Sequence, residues 1–305
     1  MPKKEKSASK ETGIEFKYDI KHLEIIPRSL VNSLIVGKYK SAFRGKGLEF
    51  DGYKKYEIGD EASTIDWKAS LRTNELLSKQ FVEERNLTMF FLVDTSMRMC
   101  SGSIEKFKNE YAAELIAALS YTVMQGGDSV GIAMFNDNVV KTVLPNIGPS
   151  QFYLITKALS NVKNYGGGSN IVSALKYLEN YLELGTMLVI VSDFIGAHGN
   201  VELEKHLKII SNKYDVIAVM IRDIRDRVLP RGVGNVLIMD PYTGKEMVIN
   251  PDVVGNDYED YVREEESDLE HVFLEAKADF LSLQTDSSFM HPLLRFFKRR
   301  EERFH

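Results

Sequence analysis

Residues 87–98 read Leu87-Thr88-Met89-Phe90-Phe91-Leu92-Val93-Asp94-Thr95-Ser96-Met97-Arg98. An apolar run of this length, broken only by Thr88, predicts a strand buried on both faces, as in a parallel sheet covered by helices. The strand ends on the carboxylate of Asp94, and the hydroxyl of Ser96 follows two residues later. Together they offer oxygen ligands suited to a hard cation such as magnesium.

Outward from this strand the chain alternates between two periods. Ile104, Phe107, Tyr111, Leu115, Leu119 and Val123 recur at three- and four-residue spacing. They predict one face of a long helix that starts near residue 103 and stops at Gly126-Gly127. Strands are expected over 130–135 and 139–143, joined by a turn at Asn136-Asp137-Asn138. Helices near 150–161, 171–184 and 201–213 then alternate with strands over 186–191 and 216–221. The pattern predicts an α/β fold, a doubly wound, mainly parallel sheet with helices on both faces. Ligands of such sheets sit at the carboxyl ends of the strands, where Asp94 and Asp193 both fall.

The flanks differ in texture. Residues 1–14 are polar and Lys-rich and are expected to form a disordered tail. Ile20, Leu23 and Ile26, then Leu30, Leu34 and Ile35, form two short amphipathic groups. Gly45, Gly47, Gly52 and Gly59 punctuate a small irregular or β segment, in which Asp66-Trp67 reads as a turn acid followed by a buried aromatic. After the sheet come a hairpin over 236–249, a charged helix over 257–279, a strand over 280–285 and a helix over 288–303. That last helix has Leu293, Leu294, Phe296 and Phe297 for packing and a basic side for solvent. Four units follow: 1–14, 15–86, 87–225 and 226–305.

Across its 305 residues the chain has a formal net charge of -5, which argues against a nucleic-acid binder. Cys100 is the only cysteine, so no intramolecular disulfide forms and a reducing compartment is expected. With no signal-peptide pattern and no apolar stretch of membrane-spanning length, a cytoplasmic location is expected. Neither a Gly-x-x-x-x-Gly-Lys loop nor a His-Glu-x-x-His helix occurs, and a non-enzymatic role is the expectation. The alternative is a magnesium-dependent hydrolase in which Asp94 and Asp193 hold the cation, with His198 as candidate base.

Two sets of residues resemble known families. The first is Asp94-Thr95-Ser96-Met97-Arg98, then Ser169 within Gly166-Gly167-Gly168-Ser169-Asn170, then Asp193. In that order, over residues 87–222, they resemble the von Willebrand factor A domain and its metal-ion-dependent adhesion site. The resemblance implies Asp94, Ser96, Ser169 and Asp193 as ligands of a magnesium ion. Arg98 stands where a coordinating hydroxyl is expected. A guanidinium is permanently charged and could pair with Asp94 or Asp193 in the space of the ion.

The second set is Gly45, Gly47, Glu49, Phe50, Tyr56, Gly59, Asp60, Ile65, Asp66, Trp67 and Ser70. It resembles the signature of the prokaryotic family known as domain of unknown function 58, and the match continues at Asp128-Ser129-Val130-Gly131 and Leu229-Pro230. Lys54, Lys55 and Thr64 depart from arginines usual in that family. The resemblance implies a protein-binding adaptor that partners a MoxR-type AAA+ ATPase in assembling or activating other complexes.

Overall fold

The computed structural model describes Leu23 and residues 33–44, 48–57, 60–83, 87–179, 181–240 and 243–303. The expected tail, the first amphipathic group apart from Leu23, and Gly45, Gly47 and Gly59 lie outside the described residues.

Among the described residues ten strands run in chain order: β1 (Leu48–Lys55), β2 (Leu77–Glu83), β3 (Thr88–Asp94), β4 (Ser129–Phe135), β5 (Val139–Asn146), β6 (Met187–Ser192), β7 (Asp215–Arg222), β8 (Val236–Met239), β9 (Glu246–Ile249) and β10 (Asp279–Gln284). Six of them form one sheet in the order β10-β7-β6-β3-β4-β5. All its pairings are parallel except β4 with β5. The chain leaves β3 toward β4 and β5, then returns to place β6 on the other flank of β3. The topological switch therefore falls between β3 and β6, and it opens a crevice at their carboxyl ends.

The apolar run that opened the sequence reading is the centre of this sheet. Met89, Phe91 and Val93 point into one core, and Phe90 and Leu92 into the other. The two-residue period of a strand thus feeds two layers of helices. The helices are α1 (Ser33–Arg44), α2 (Trp67–Thr73), α3 (Lys108–Gly126), α4 (Pro149–Leu159), α5 (Ile171–Leu178), α6 (Val201–Ser211), α7 (Pro251–Glu275) and α8 (Met290–Arg303). Residues of α1, α3, α4 and α8 line the first core, and residues of α5, α6 and α7 the second. Gly131 in β4 permits close packing, since a Cβ there would lie 2.8 Å from the Phe90 ring and from the Pro145 backbone.

Several elements differ from the sequence expectation. Helix α3 begins at Lys108 and not near 103. The Ser103 backbone N–H and hydroxyl donate to Asp223 at 2.9 and 2.5 Å, which ties the preceding loop to the end of β7. Strand β10 joins β7 as the edge of the main sheet. The basic side of α8 is only partly in solvent, because Arg300 is 4% exposed and pairs with Asp215 and Asp279. The acidic face of α7 is engaged too. Glu265 and Glu266 lie 3.7 and 3.3 Å from buried Arg222, and Glu266 lies 2.9 Å from Arg227.

Strands β1 and β2 form a separate two-stranded hairpin with α2 against it. Asp66 caps α2 by accepting from the Lys68 and Ala69 N–H groups, and it also accepts from the Tyr53 hydroxyl. The turn-acid reading of Asp66 holds. Trp67, the first residue of α2, is 64% exposed, however. Lys54 pairs with Asp60 at 2.7 Å.

Candidate functional site

The site is built at the switch point. Asp94 ends β3 and Asp193 directly follows β6, its neighbour. Asp94 is 1% exposed and its carboxylate accepts three hydrogen bonds. The Ser96 N–H donates to Oδ1 at 2.9 Å, and the hydroxyls of Ser169 and Ser192 donate to Oδ2 at 2.7 Å each. Ser96 is itself buried, and its hydroxyl has no partner among the described residues.

The glycine-rich loop reaches Asp94 through backbone docking. Gly166 N–H donates to the Thr95 carbonyl at 2.9 Å, and the Gly167 carbonyl accepts from Met97 N–H at 3.0 Å. Gly167 has φ +75, and a Cβ on it would lie 2.7 Å from Asp137 Oδ2, so only glycine fits. The turn between β4 and β5 holds the loop from the other side, with Asp137 accepting from Gly168 N–H at 2.9 Å. Asn170 then caps α5.

Asp193 has a different set of partners. Lys108, in the first turn of α3, reaches across so that its Nζ lies 2.8 Å from Asp193 Oδ2 and 3.1 Å from Asp226 Oδ2. The Lys108 side chain is 2% exposed. The second Asp193 oxygen accepts from Ile195 N–H at 3.1 Å. Arg98 acts on Asp193 through space. The direct salt bridge expected of Arg98 is made by Lys108 instead.

The two carboxylates titrate in opposite directions. Burial, then the charge of Asp193, raises Asp94 above the ordinary carboxylate range despite its three donors. Burial pushes Asp193 the same way, but the charge and hydrogen bond of Lys108 outweigh it and hold Asp193 low. Lys108 is held above its ordinary value, since Asp193 and Asp226 outweigh the burial that would lower it. Cys100 is pushed up to about 12, chiefly by burial and then by the charges of Asp94 and Glu110, so it is no nucleophile at neutral pH.

A cleft of about 140 Å³ opens beside these residues, lined among others by Arg98, Ser169, Asn170, Ser192, Ile195 and Asn200. Asn170 and Asn200 are the caps of α5 and α6, so two helix amino ends border it. Between them the loop turns sharply at Phe194, whose φ is +51 and whose ring stacks edge-on against Phe273 of α7 at 5.2 Å. His198 lies 3.8 Å from Asp268 of α7.

The residues expected from sequence thus converge on Asp94, with Ser96, Ser169 and Asp193 around it. As a magnesium site they fit only in part. The oxygen-only set and the unpartnered Ser96 hydroxyl suit a hard cation. Asp193 does not, because an ammonium already occupies it, and the Ser169 and Ser192 hydroxyls spend their protons on Asp94. Sequence reasoning missed Lys108, Asp226 and Ser192. Lys108 carried a signal all the same: it sits among Ile104, Phe107 and Tyr111, on the apolar stripe, where a lysine must find a carboxylate.

A doubly wound von Willebrand A-like α/β domain, with its polar site at the switch point, is the class these features define. The chain belongs to the family described as protein of unknown function DUF58, whose model matches residues 52–268. The Mycobacterium tuberculosis protein Rv1480, described as uncharacterized, is 24% identical over 285 residues, covering 92% of this chain and 88% of that protein. Similar solved structures include BatB from Bacteroides thetaiotaomicron, at 14% identity and a TM-score of 0.47, covering 71% of this chain and all of BatB. A von Willebrand factor type A protein from Catenulispora acidiphila shares 9% identity at a TM-score of 0.40, covering 75% of this chain and 45% of its own.

Proposed function

We propose that this chain is a non-enzymatic protein-binding adaptor whose carboxyl sheet edge receives an acidic side chain of a partner. Its adhesion site is degenerate, with Arg98 supplying the positive charge that a bridging magnesium ion would otherwise bring. The observation that carries this reading is Arg98 lining a small cleft beside two helix amino ends, with the neighbouring Asp193 already neutralised by Lys108. A guanidinium and two helix amino ends all favour a carboxylate.

The partner in this proposal is a MoxR-type AAA+ ATPase, and the pair assembles or activates other complexes in the cytoplasm. No helix among the described residues is long and apolar enough to cross a membrane. Were magnesium to enter, Asp94, Ser96 and Ser169 would hold it, and the ion would offer an open position to the partner's carboxylate.

The test is co-purification from native cells with the wild-type chain, Arg98→Glu and Asp94→Ala, each with EDTA or with magnesium. The wild type is expected to recover an AAA+ ATPase in EDTA, and Arg98→Glu to lose it. Loss in EDTA with recovery in magnesium rejects the arginine version. Absence of an ATPase under every condition rejects the adaptor.

A further inference from the structure

We infer that Lys108 is a built-in counter-ion that takes Asp193 away from a divalent cation at this sheet edge and so keeps the edge free of metal. This rests on the reading of the edge as the functional site, and it names what holds that site together.

Lys108 behaves as a resident ion would. Its ammonium bridges Asp193 and Asp226, carboxylates from two different loops, and it arrives from a third element, the first turn of α3. An ammonium has three donors, and two of them meet charged oxygens at 2.8 and 3.1 Å. Neither anchor is free to turn away. Asp193 is fully buried with its second oxygen on Ile195 N–H, and Asp226 also accepts the Asp223 N–H at 2.8 Å. The Tyr258 hydroxyl donates to the Asp226 carbonyl at 2.9 Å, which ties that loop to α7.

Charge decides what else can enter. A dication at this edge would need Asp193 beside Asp94, and Lys108 already neutralises Asp193. A dication shared by Asp94 and Asp193 would have to share Asp193 with an ammonium already at hydrogen-bond distance from it. Like charges that close in a buried setting repel strongly. It would also have to turn away hydroxyl protons now directed at Asp94 by Ser169 and Ser192. Among the described residues of the site, the Ser96 hydroxyl is left without a partner and is a potential ligand. Removing the ammonium therefore opens a latent site, with Asp94, Ser96 and Asp193 available to a hard cation.

The experiment is a titration of the purified full chain with manganese alone, followed by the electron paramagnetic resonance of the free ion. Wild type is expected to bind none at millimolar metal. Lys108→Met is expected to bind at least about 100-fold more tightly than that millimolar limit, the scale of one buried ion pair released. Asp94→Asn in that background should abolish the gain. Should Lys108→Met not fold, Lys108→Gln keeps a donor for Asp193 and carries the same expectation. Arg98→Ser, which restores a hydroxyl but leaves Lys108, should still bind none. Manganese bound by the wild type in an Asp94-dependent way, or by Arg98→Ser alone, overturns the inference. So does a folded Lys108 variant that binds none. No partner enters these titrations, so their failure leaves the adaptor reading standing, and failure of the co-purification leaves the titrations standing.

Discussion

The switch-point edge and the β1–α2–β2 hairpin carry the two signatures most visible in the sequence, and they are built on opposite terms. At the edge, Asp94, Ser96 and Asp193 sink to 1% exposure or less, and each carboxylate is met by fixed donors. On the hairpin, Trp67 is 64% and Leu71 84% exposed, one helical turn apart. A buried polar site must be complete before any partner arrives, because unpaired charge there is destabilising. An exposed aromatic on a small hairpin carries no such constraint and adds little to stability. The edge is thus preorganised, while the hairpin offers contact area without fixed geometry.

The contrast can be broken by substitution. The largest effect is expected for Asp193→Ala, which leaves the Lys108 ammonium short of its closest partner. A loss of about 3–5 kcal/mol, read by urea denaturation, is expected from an uncompensated buried charge. A loss below 1 kcal/mol would mean that Asp226 alone holds the ammonium. Next is Ser169→Ala, which removes one of three donors to Asp94 and should cost about 1–2 kcal/mol.

Asp94→Asn is expected to stay within about 1 kcal/mol at neutral pH, and its pH dependence carries the information. Asp94 is raised in the folded protein, so in the wild type its contribution falls as pH rises through the ordinary carboxylate range toward the raised value. The Asn variant should lose that decline. Asp193 and Asp223 are lowered, so their contribution is present above the ordinary range and is lost as pH falls through their folded values. The acid-side loss should therefore persist in Asp94→Asn, and denaturation midpoints from about pH 3 to about pH 7 separate the two limbs. The smallest effect is expected for Trp67→Ala, within about 0.5 kcal/mol. If that variant nonetheless abolishes ATPase recovery while Arg98→Glu keeps it, the docking surface is the hairpin and the edge is structural.

How much of this was legible follows from what sequence encodes locally. The apolar run before Asp94 and its counterpart before Asp193 gave the sheet and the edge, because a strand buried on both faces leaves no other pattern. Ser169 was found through the resemblance to the von Willebrand factor A domain, which implies a hydroxyl from a second loop; the glycines before it alone would fit a plain turn. Lys108 and Asp226 were hidden: their pairing joins the start of α3 to a loop more than a hundred residues later, and neither lies in a motif. The start of α3 was misplaced for a similar reason, since Ser103 gives up helical geometry to meet distant Asp223. Trp67 was expected inside because large aromatics usually are. A seven-residue helix capped on a two-stranded hairpin has no interior in which to put it.

The left-handed turn at Phe194 has a consequence for how the protein is made. A non-glycine residue held there costs on the order of 1 kcal/mol or more, and it persists only where its surroundings enforce it. Its backbone is held by the Ser192 hydroxyl and its ring lies against Phe273, near the end of α7, while the five strands from β3 to β7 are complete by Arg222. A chain emerging from the ribosome can pair those strands while the loop carrying Asp193 is still open to proteases. Stalled chains ending before Pro251 should be nicked between residues 194 and 199, and full-length chains spared. The loop carrying Asp193 thus reaches its final packing only once α7 has been synthesised.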